Sequence, residues 1–217
     1  MDLRIGLVDS NVTIRLGKAL VINSQPDMQI VLEEPDPQLA LERAHEYLMD
    51  QILVAATQSG FAGTQFVRSI TRVFRDNGNE CGVIAYGPFY NEALRIQFIQ
   101  AGAQGFFGLD QSSESMLELI RTSRRRDFIV DYDTLKLAAK DATDLKIPAN
   151  FAMQLEKLNA EQKKILRSFL KGLSDTKNAQ QFDIARTRVT ALISSLMQSG
   201  GYATRSQLAI ALIRRGK

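Results

Sequence analysis

The 217-residue chain has one cysteine, Cys81, which excludes an intrachain disulfide and points to a reducing compartment. Cys81 lies in an apolar run with nothing near it in sequence to favour a thiolate, so it reads as a structural thiol. There is also one histidine, His45. It has Glu42 and Glu46 beside it but no cysteine or second histidine, so no zinc-type metal site is expected. No apolar run is long enough to span a bilayer, and no basic leader precedes the strand-like Leu3 to Val8. The expectation is a soluble, cytoplasmic protein with no membrane partner. Gly60-Phe-Ala-Gly63 and Gly102-Ala-Gln-Gly105 are too short and wrongly spaced for nucleotide-binding loops. No serine, cysteine or carboxylate constellation suggests catalysis, so neither an enzyme nor a cofactor is expected.

The charge is divided unevenly. Residues 1–150 carry 15 Lys and Arg against 20 Asp and Glu, a balance of −5, while residues 151–217 carry 12 against 4, a balance of +8. A basic segment joined to an acidic one suggests an anionic partner for the basic part, usually nucleic acid.

Short apolar runs alternate with amphipathic stretches over the first half. Strands are expected at Arg4–Val8, Met28–Glu33, Gln51–Thr57, Gly82–Tyr86 and Gly105–Leu109. Helices are expected at about 12–22, 37–48, 61–76, 90–102 and 113–126, where apolar residues recur at threes and fours. Five strands alternating with five helices predict an α/β domain, a parallel, doubly wound (flavodoxin-like) sheet covered on both faces, over residues 1–127. Residues 128–152 form a connecting stretch with a short helix (Thr134–Ala142) and an extended Lys146-Ile147-Pro148-Ala149, where proline disfavours helix in the residue before it. Residues 153–217 predict an all-α domain of four short helices, at about 160–170, 174–181, 185–198 and 204–214.

Within that domain, Ser174 is a good N-cap and a turn near Asp183 lets two helices cross steeply. Helix 185–198 places Val189, Ile193, Leu196 and Met197 on an apolar stripe. Small and basic residues remain on its other faces, as a helix entering a major groove requires. The arginines at its start could read guanine edges or hold phosphates.

The stretch Leu158-Asn-Ala-Glu-Gln-Lys-Lys-Ile-Leu166, followed by Gly172-Leu-Ser174, Ala179, Ile184, Val189 and Arg205-Ser-Gln207, resembles the LuxR/NarL-type helix-turn-helix. With the receiver-like first half, the resemblance covers nearly the whole chain. It implies a NarL/FixJ-type response regulator of a receiver-degenerate kind, binding double-stranded DNA as a homodimer. The candidate DNA-contacting residues are Lys177, Arg186, Thr187, Arg188, Thr190, Ala191, Ser194, Ser195 and Arg205. Where the family has threonine, lysine and histidine in "T-V-K-x-H", this chain has Arg188, Thr190 and Leu192, and Asn178 replaces an isoleucine. The last helix, with Leu208, Ala209, Ala211, Leu212 and Ile213, carries more apolar surface than a four-helix module covers. Its resemblance to a dimerisation helix implies a dimer on DNA.

Receivers of this family use an acidic pair after the first strand for magnesium, an aspartate ending the third strand as phosphoacceptor, and a threonine or serine and a lysine after the fourth and fifth. Here Asp9-Ser10 keeps one acid, and the acceptor position falls on Ala55 or Ala56. Ala85-Tyr86-Gly87 replaces the hydroxyl, and Leu109 stands at the lysine. Asp50 is no substitute, lying roughly 20 Å away at the other end of its strand. Aspartyl-phosphate signalling is therefore not expected. What remains is a pocket at the strand ends, lined by Asp9, Ser10, Thr57, Gln58, Ser59, Gly60, Tyr86, Gly87 and Leu109. It is either an empty structural pocket or a place where a protein or small-molecule signal is read. The alternative to a regulator is a non-enzymatic interaction module that has lost sequence-specific DNA binding.

Overall fold

The computed structural model describes residues 2–58, 61–78, 81–123, 130–142 and 144–216. The chain divides into two compact units, Met1–Arg126 and Asp127–Lys217.

In the first unit the elements are β1 (Leu3–Val8), α1 (Val12–Asn23), β2 (Met28–Glu34), α2 (Pro37–Arg43), β3 (Gln51–Ala55), β4 (Thr57–Gln58), β5 (Phe61–Ala62), α3 (Gly63–Asp76), β6 (Gly82–Gly87), α4 (Glu92–Ala101), β7 (Gly105–Gly108) and α5 (Ser113–Ser123). Five strands form one sheet in the order β2-β1-β3-β6-β7, and every neighbouring pair is parallel. All residues of the central β3 and β6 are buried, as a strand covered on both faces requires. Alternate side chains feed two cores. Val8, Ile52, Val54, Phe66, Ile70, Ala85 and Phe106 pack on one side; Leu7, Leu53, Ala55, Ile84, Tyr86, Phe107 and Ile120 pack on the other.

The helix starts are written locally. The side chain of Asn11 accepts from the amides of Thr13 and Ile14 at the start of α1, Asp36 caps α2 with Pro37 in its first turn, and Asn91 caps α4, each filling backbone donors left open at a helix N-terminus. Several expected boundaries shift: the strand expected over Gln51–Thr57 ends at Ala55, and Thr57 belongs to β4. The helix expected over 37–48 becomes a 3-10 turn at Ala44–Glu46, a common way to tighten a helix end before the chain turns. The helix expected from residue 61 begins at Gly63, because Phe61–Ala62 pairs antiparallel with Thr57–Gln58. A Cβ at Gly63 would collide with the Ala56 carbonyl oxygen, so this close approach requires glycine. The expected continuation of the last receiver helix through 124–126 lies outside the described residues.

The second unit contains α6 (Tyr132–Asp141), α7 (Ala149–Glu156), α8 (Ala160–Leu170), α9 (Asp175–Phe182), α10 (Arg186–Gly200) and α11 (Arg205–Arg215). The four expected helices are present as α8 to α11, and the short helix expected over Thr134–Ala142 is present as α6; α7 is an addition. The sequence predicts residues 128–152 as a connection with one short helix over Thr134–Ala142 and an extended 146–149. Pro148 is extended as expected (φ −62°, ψ 149°) and stands at the N-cap of α7, so the helix takes in Ala149 and runs on to Glu156. The described part of this stretch is built into the unit. α6 packs along α11, Arg214 donates to the carbonyls of Ala142 and Leu145, and the Tyr202 hydroxyl donates to the Lys146 carbonyl at 2.9 Å.

This packing removes one sequence argument. Leu208, Ala209, Ile210, Ala211 and Leu212 of α11 are all buried within the chain, with Leu135, Ala138 and Ala139 of α6 buried as well. The surplus apolar surface that pointed to a dimer is covered by a helix outside the four-helix pattern.

Candidate functional site

α9 and α10 form the crossing pair that the sequence predicts. The Ser174 side chain accepts from the Lys177 amide at the start of α9, a capping box of Asn159 and Gln162 starts α8, and Asp183 takes a left-handed backbone (φ 52°) that ends α9. Aspartate is among the few side chains that tolerate this conformation. Val189, Ile193 and Leu196 are buried beneath α10. The same helix leaves Arg186, Thr187, Arg188, Ala191, Ser194 and Ser195 exposed, and Lys177 on α9 is exposed too.

Two of the candidate contacts are otherwise engaged. Arg205 donates two hydrogen bonds to Asp175, at 2.8 and 2.7 Å, and its side chain is only 10% exposed. Asp175 also accepts from the Thr190 hydroxyl at 2.7 Å. This buried, bidentate cluster joins α9, α10 and α11, and it places Arg205 and the Thr190 hydroxyl inside the module. Arg188 pairs with Glu161 at 3.2 Å on the surface, a weak tie that solvent and a competing phosphate can replace. Asn178 is fully buried; its amide donates to the Leu173 carbonyl at 3.2 Å, holding the turn before α9.

In the first unit the residues at the strand ends close on one another. Ala55 is the last residue of β3, buried and paired with Tyr86 across the sheet. Asp9 is 2% exposed. Its carboxylate accepts from the Tyr86 hydroxyl at 2.6 Å and from the Asn11 amide at 2.8 Å. The Tyr86 ring stacks on Phe107 with centroids 5.2 Å apart. Burial, with the bond to Asp9 behind it, pushes the Tyr86 phenol far above its ordinary range, so it stays a neutral donor. Of the predicted pocket residues that are described, Asp9 and Tyr86 are thus buried and joined to each other. Ser10 and Leu109 are exposed, Gly87 is buried, Ser59 and Gly60 lie outside the described residues, and so do the side chains of Thr57 and Gln58.

Sequence reading missed Lys18. It follows Ile14 and precedes Ile22 at four-residue spacing, so its place on the inward stripe of α1 was legible. Its ammonium lies over the Tyr86 and Phe107 rings, 4.3 and 4.7 Å from their centroids. Burial lowers its pKa to about 8, with Asp9 pulling the other way.

No family model matches the chain. It is 22% identical to the transcriptional regulatory protein LiaR of Bacillus subtilis, over 96% of this chain and 95% of that protein. It is also 22% identical to the oxygen regulatory protein NreC of Staphylococcus aureus, over 95% of this chain and 94% of that one. Among solved structures, a LuxR-family two-component response regulator from Aurantimonas matches 56% of this chain and 84% of its own, with a TM-score of 0.51 and 22% identity. The RcsB response regulator of Salmonella typhimurium matches 97% and 98%, with a TM-score of 0.50 and 10% identity. The chain is thus similar, over nearly its whole length, to proteins named as transcriptional and oxygen regulatory proteins, and its fold is that of solved response regulators. Of the residues set against the family's receiver positions, Ala55 ends β3 and pairs with Tyr86, Ala56 follows it, and Leu109 is exposed just after β7. A lysine from α1 reaches the same cluster from another direction. Among the described residues no group of three His, Cys, Asp or Glu side chains could hold a metal ion, and no helix is long and apolar enough to cross a membrane.

Proposed function

We propose that this chain is a cytoplasmic, DNA-binding transcription regulator of the response-regulator type that works without aspartyl phosphorylation, the first unit serving as a pseudo-receiver and the second as the DNA-binding domain. The observation that carries the reading is the exposed face of α10: Arg186, Thr187, Arg188, Ala191, Ser194 and Ser195 lie free of the core on a helix whose opposite side is fully buried. Small side chains let the helix backbone approach base edges while the two arginines meet guanine or phosphate. The +8 balance of residues 151–217 supports it. Phosphate independence is supported by the alanine at the acceptor position and by Tyr86 occupying the space beside Asp9. The likeness to RcsB, whose structure concerns DNA interaction, agrees with this reading.

Selection of duplexes from a random pool by the full-length protein tests it. An enriched motif is expected, lost in Arg186→Ala and Arg188→Ala, with affinity falling steeply as salt is raised. A small phosphodonor should leave no acyl-phosphate label and no change in affinity.

A second reading rests on the Asp175 cluster. It withdraws Arg205 and Thr190 from the surface, and with Thr190 at the family's lysine position the module keeps few specific contacts. A non-enzymatic interaction module would bind every duplex weakly and without enrichment. The homodimer rests on the resemblance alone, since α6 covers α11. Sedimentation of the protein without DNA is expected to give a monomer, and pairing is expected on the duplex.

A further inference from the structure

Lys18 is used by neither phosphate chemistry nor DNA binding. It is 8% exposed, and among the described residues its ammonium has no oxygen acceptor and no ion pair. Its polar contact is the Met116 sulfur at 3.9 Å, a poor acceptor. Burying an ammonium without an oxygen partner is costly, and an apolar residue at this inward position of α1 would avoid the cost. The side chain lines a cleft of about 200 Å³ between α1 and α5, walled by Ile14, Val21, Phe107 and Met116, with the Ser112 hydroxyl at its rim. One charged group among apolar walls is the usual make-up of a small-molecule site, and this one is smaller than a drug-sized pocket of roughly 300 Å³ or more.

We propose that the cleft between α1 and α5 binds a small monocarboxylate with an apolar body, its carboxylate on the Lys18 ammonium and its body against Ile14, Val21 and Met116. A single lysine matches a single negative charge. A dianion such as phosphate would meet the buried Asp9 carboxylate, which is fixed by Tyr86 and Asn11 and already acts on Lys18. Occupancy would reach Tyr86 and Phe107 through Lys18, and so the strand ends where receivers of this family carry their phosphate. The site gives the pseudo-receiver a chemical input, yet it stands apart from the DNA-binding reading, because its test contains no DNA and either can fail alone.

The experiment titrates full-length protein with hexanoate and benzoate, following the methyl resonance of Met116. The controls are hexanol, benzyl alcohol and inorganic phosphate. Saturable shifts are expected with the carboxylates only, with affinity falling about tenfold or more in Lys18→Met, a variant of similar length whose Met28 and Met49 resonances report an intact core. Near pH 8, binding should also draw a proton onto Lys18, with Asp9 and Tyr86 the other titratable groups beside it. The heat of binding should then depend on the ionisation enthalpy of the buffer. No saturable shift at millimolar carboxylate, equal binding of the alcohols, preference for phosphate, undiminished binding by Lys18→Met, or heat independent of buffer would each overturn the proposal.

Discussion

Each unit buries an aspartate, and the two are satisfied in different ways. Asp175 is 1% exposed and faces a full opposite charge, the Arg205 guanidinium, in a bidentate pair. Asp9 is as deeply buried, but its carboxylate has neutral donors, a phenol and a backbone amide, while the Arg15 guanidinium is spent on the Asp9 backbone carbonyl and Lys18 is held over aromatic rings. The helical module therefore locks its charges to each other and leaves one helix face free. The receiver-like unit sets Tyr86 against Asp9 at its strand ends and, among the described residues, leaves Lys18 short of an oxygen partner. One unit is built to present a surface, the other to keep a cleft.

The largest expected effect lies in the locked pair. Arg205→Ala should destabilise the second unit by about 3–5 kcal/mol, because it strands a buried carboxylate. Replacing both partners, as in Asp175→Leu with Arg205→Met, should recover most of that loss. Urea titration with amide exchange in α9 and α11 measures both. If Arg205→Ala costs as little as a surface substitution, the contrast between the two aspartates collapses.

Tyr86→Phe comes next, at about 1–3 kcal/mol, since Asp9 loses its phenol donor while keeping its burial. Amide exchange in β1 and β6 should rise with little change in the helical module. A global loss spread over both units would count against an effect of the Tyr86 bond confined to the first.

Lys18→Met should act in the opposite direction and stabilise the first unit near neutral pH by about 1 kcal/mol, less than the full pKa shift implies because the cleft is open to solvent. The sign follows from the direction of the shift. The native pKa of about 8 lies below the ordinary 10.5, so between these values the unfolded chain binds more protons and stability rises with pH. Thermal unfolding across that window should climb for the unaltered chain and flatten for the variant. A flat profile in both would mean that Lys18 is solvated in the native state.

Much of this was legible in the sequence. The five-strand alternation, the N-cap at Ser174, the turn at Asp183 and the stripe beneath α10 all follow from local patterns. What escaped were pairings across the chain. Arg205 and Asp175 are 30 residues apart, and nothing local says that a motif arginine turns inward to a buried acid. α6 covers α11 from 72 residues away, as the Arg214 to Ala142 bond marks, so an apolar surplus in the last helix looked unpartnered. Tyr86 and Asp9 meet only because β6 and β1 flank β3. Lys18 differs from these, since its spacing with Ile14 and Ile22 was visible and simply outweighed by its charge.

The smallest effect on stability belongs to Arg188, and it separates the two roles of the exposed helix most cleanly. Its pair with Glu161 spans 3.2 Å with both side chains substantially exposed, so Arg188→Ala should cost less than about 1 kcal/mol. Losing one phosphate or base contact should lower duplex affinity and, for a phosphate, reduce the salt slope by about one unit. Glu161→Ala provides the opposite probe. It leaves the fold equally intact but frees Arg188 and removes a negative charge beside α10, so duplex binding should tighten. If Arg188→Ala weakens neither affinity nor slope while Glu161→Ala changes nothing, the pair is only a solvated surface contact, and the start of α10 is not where this protein meets DNA.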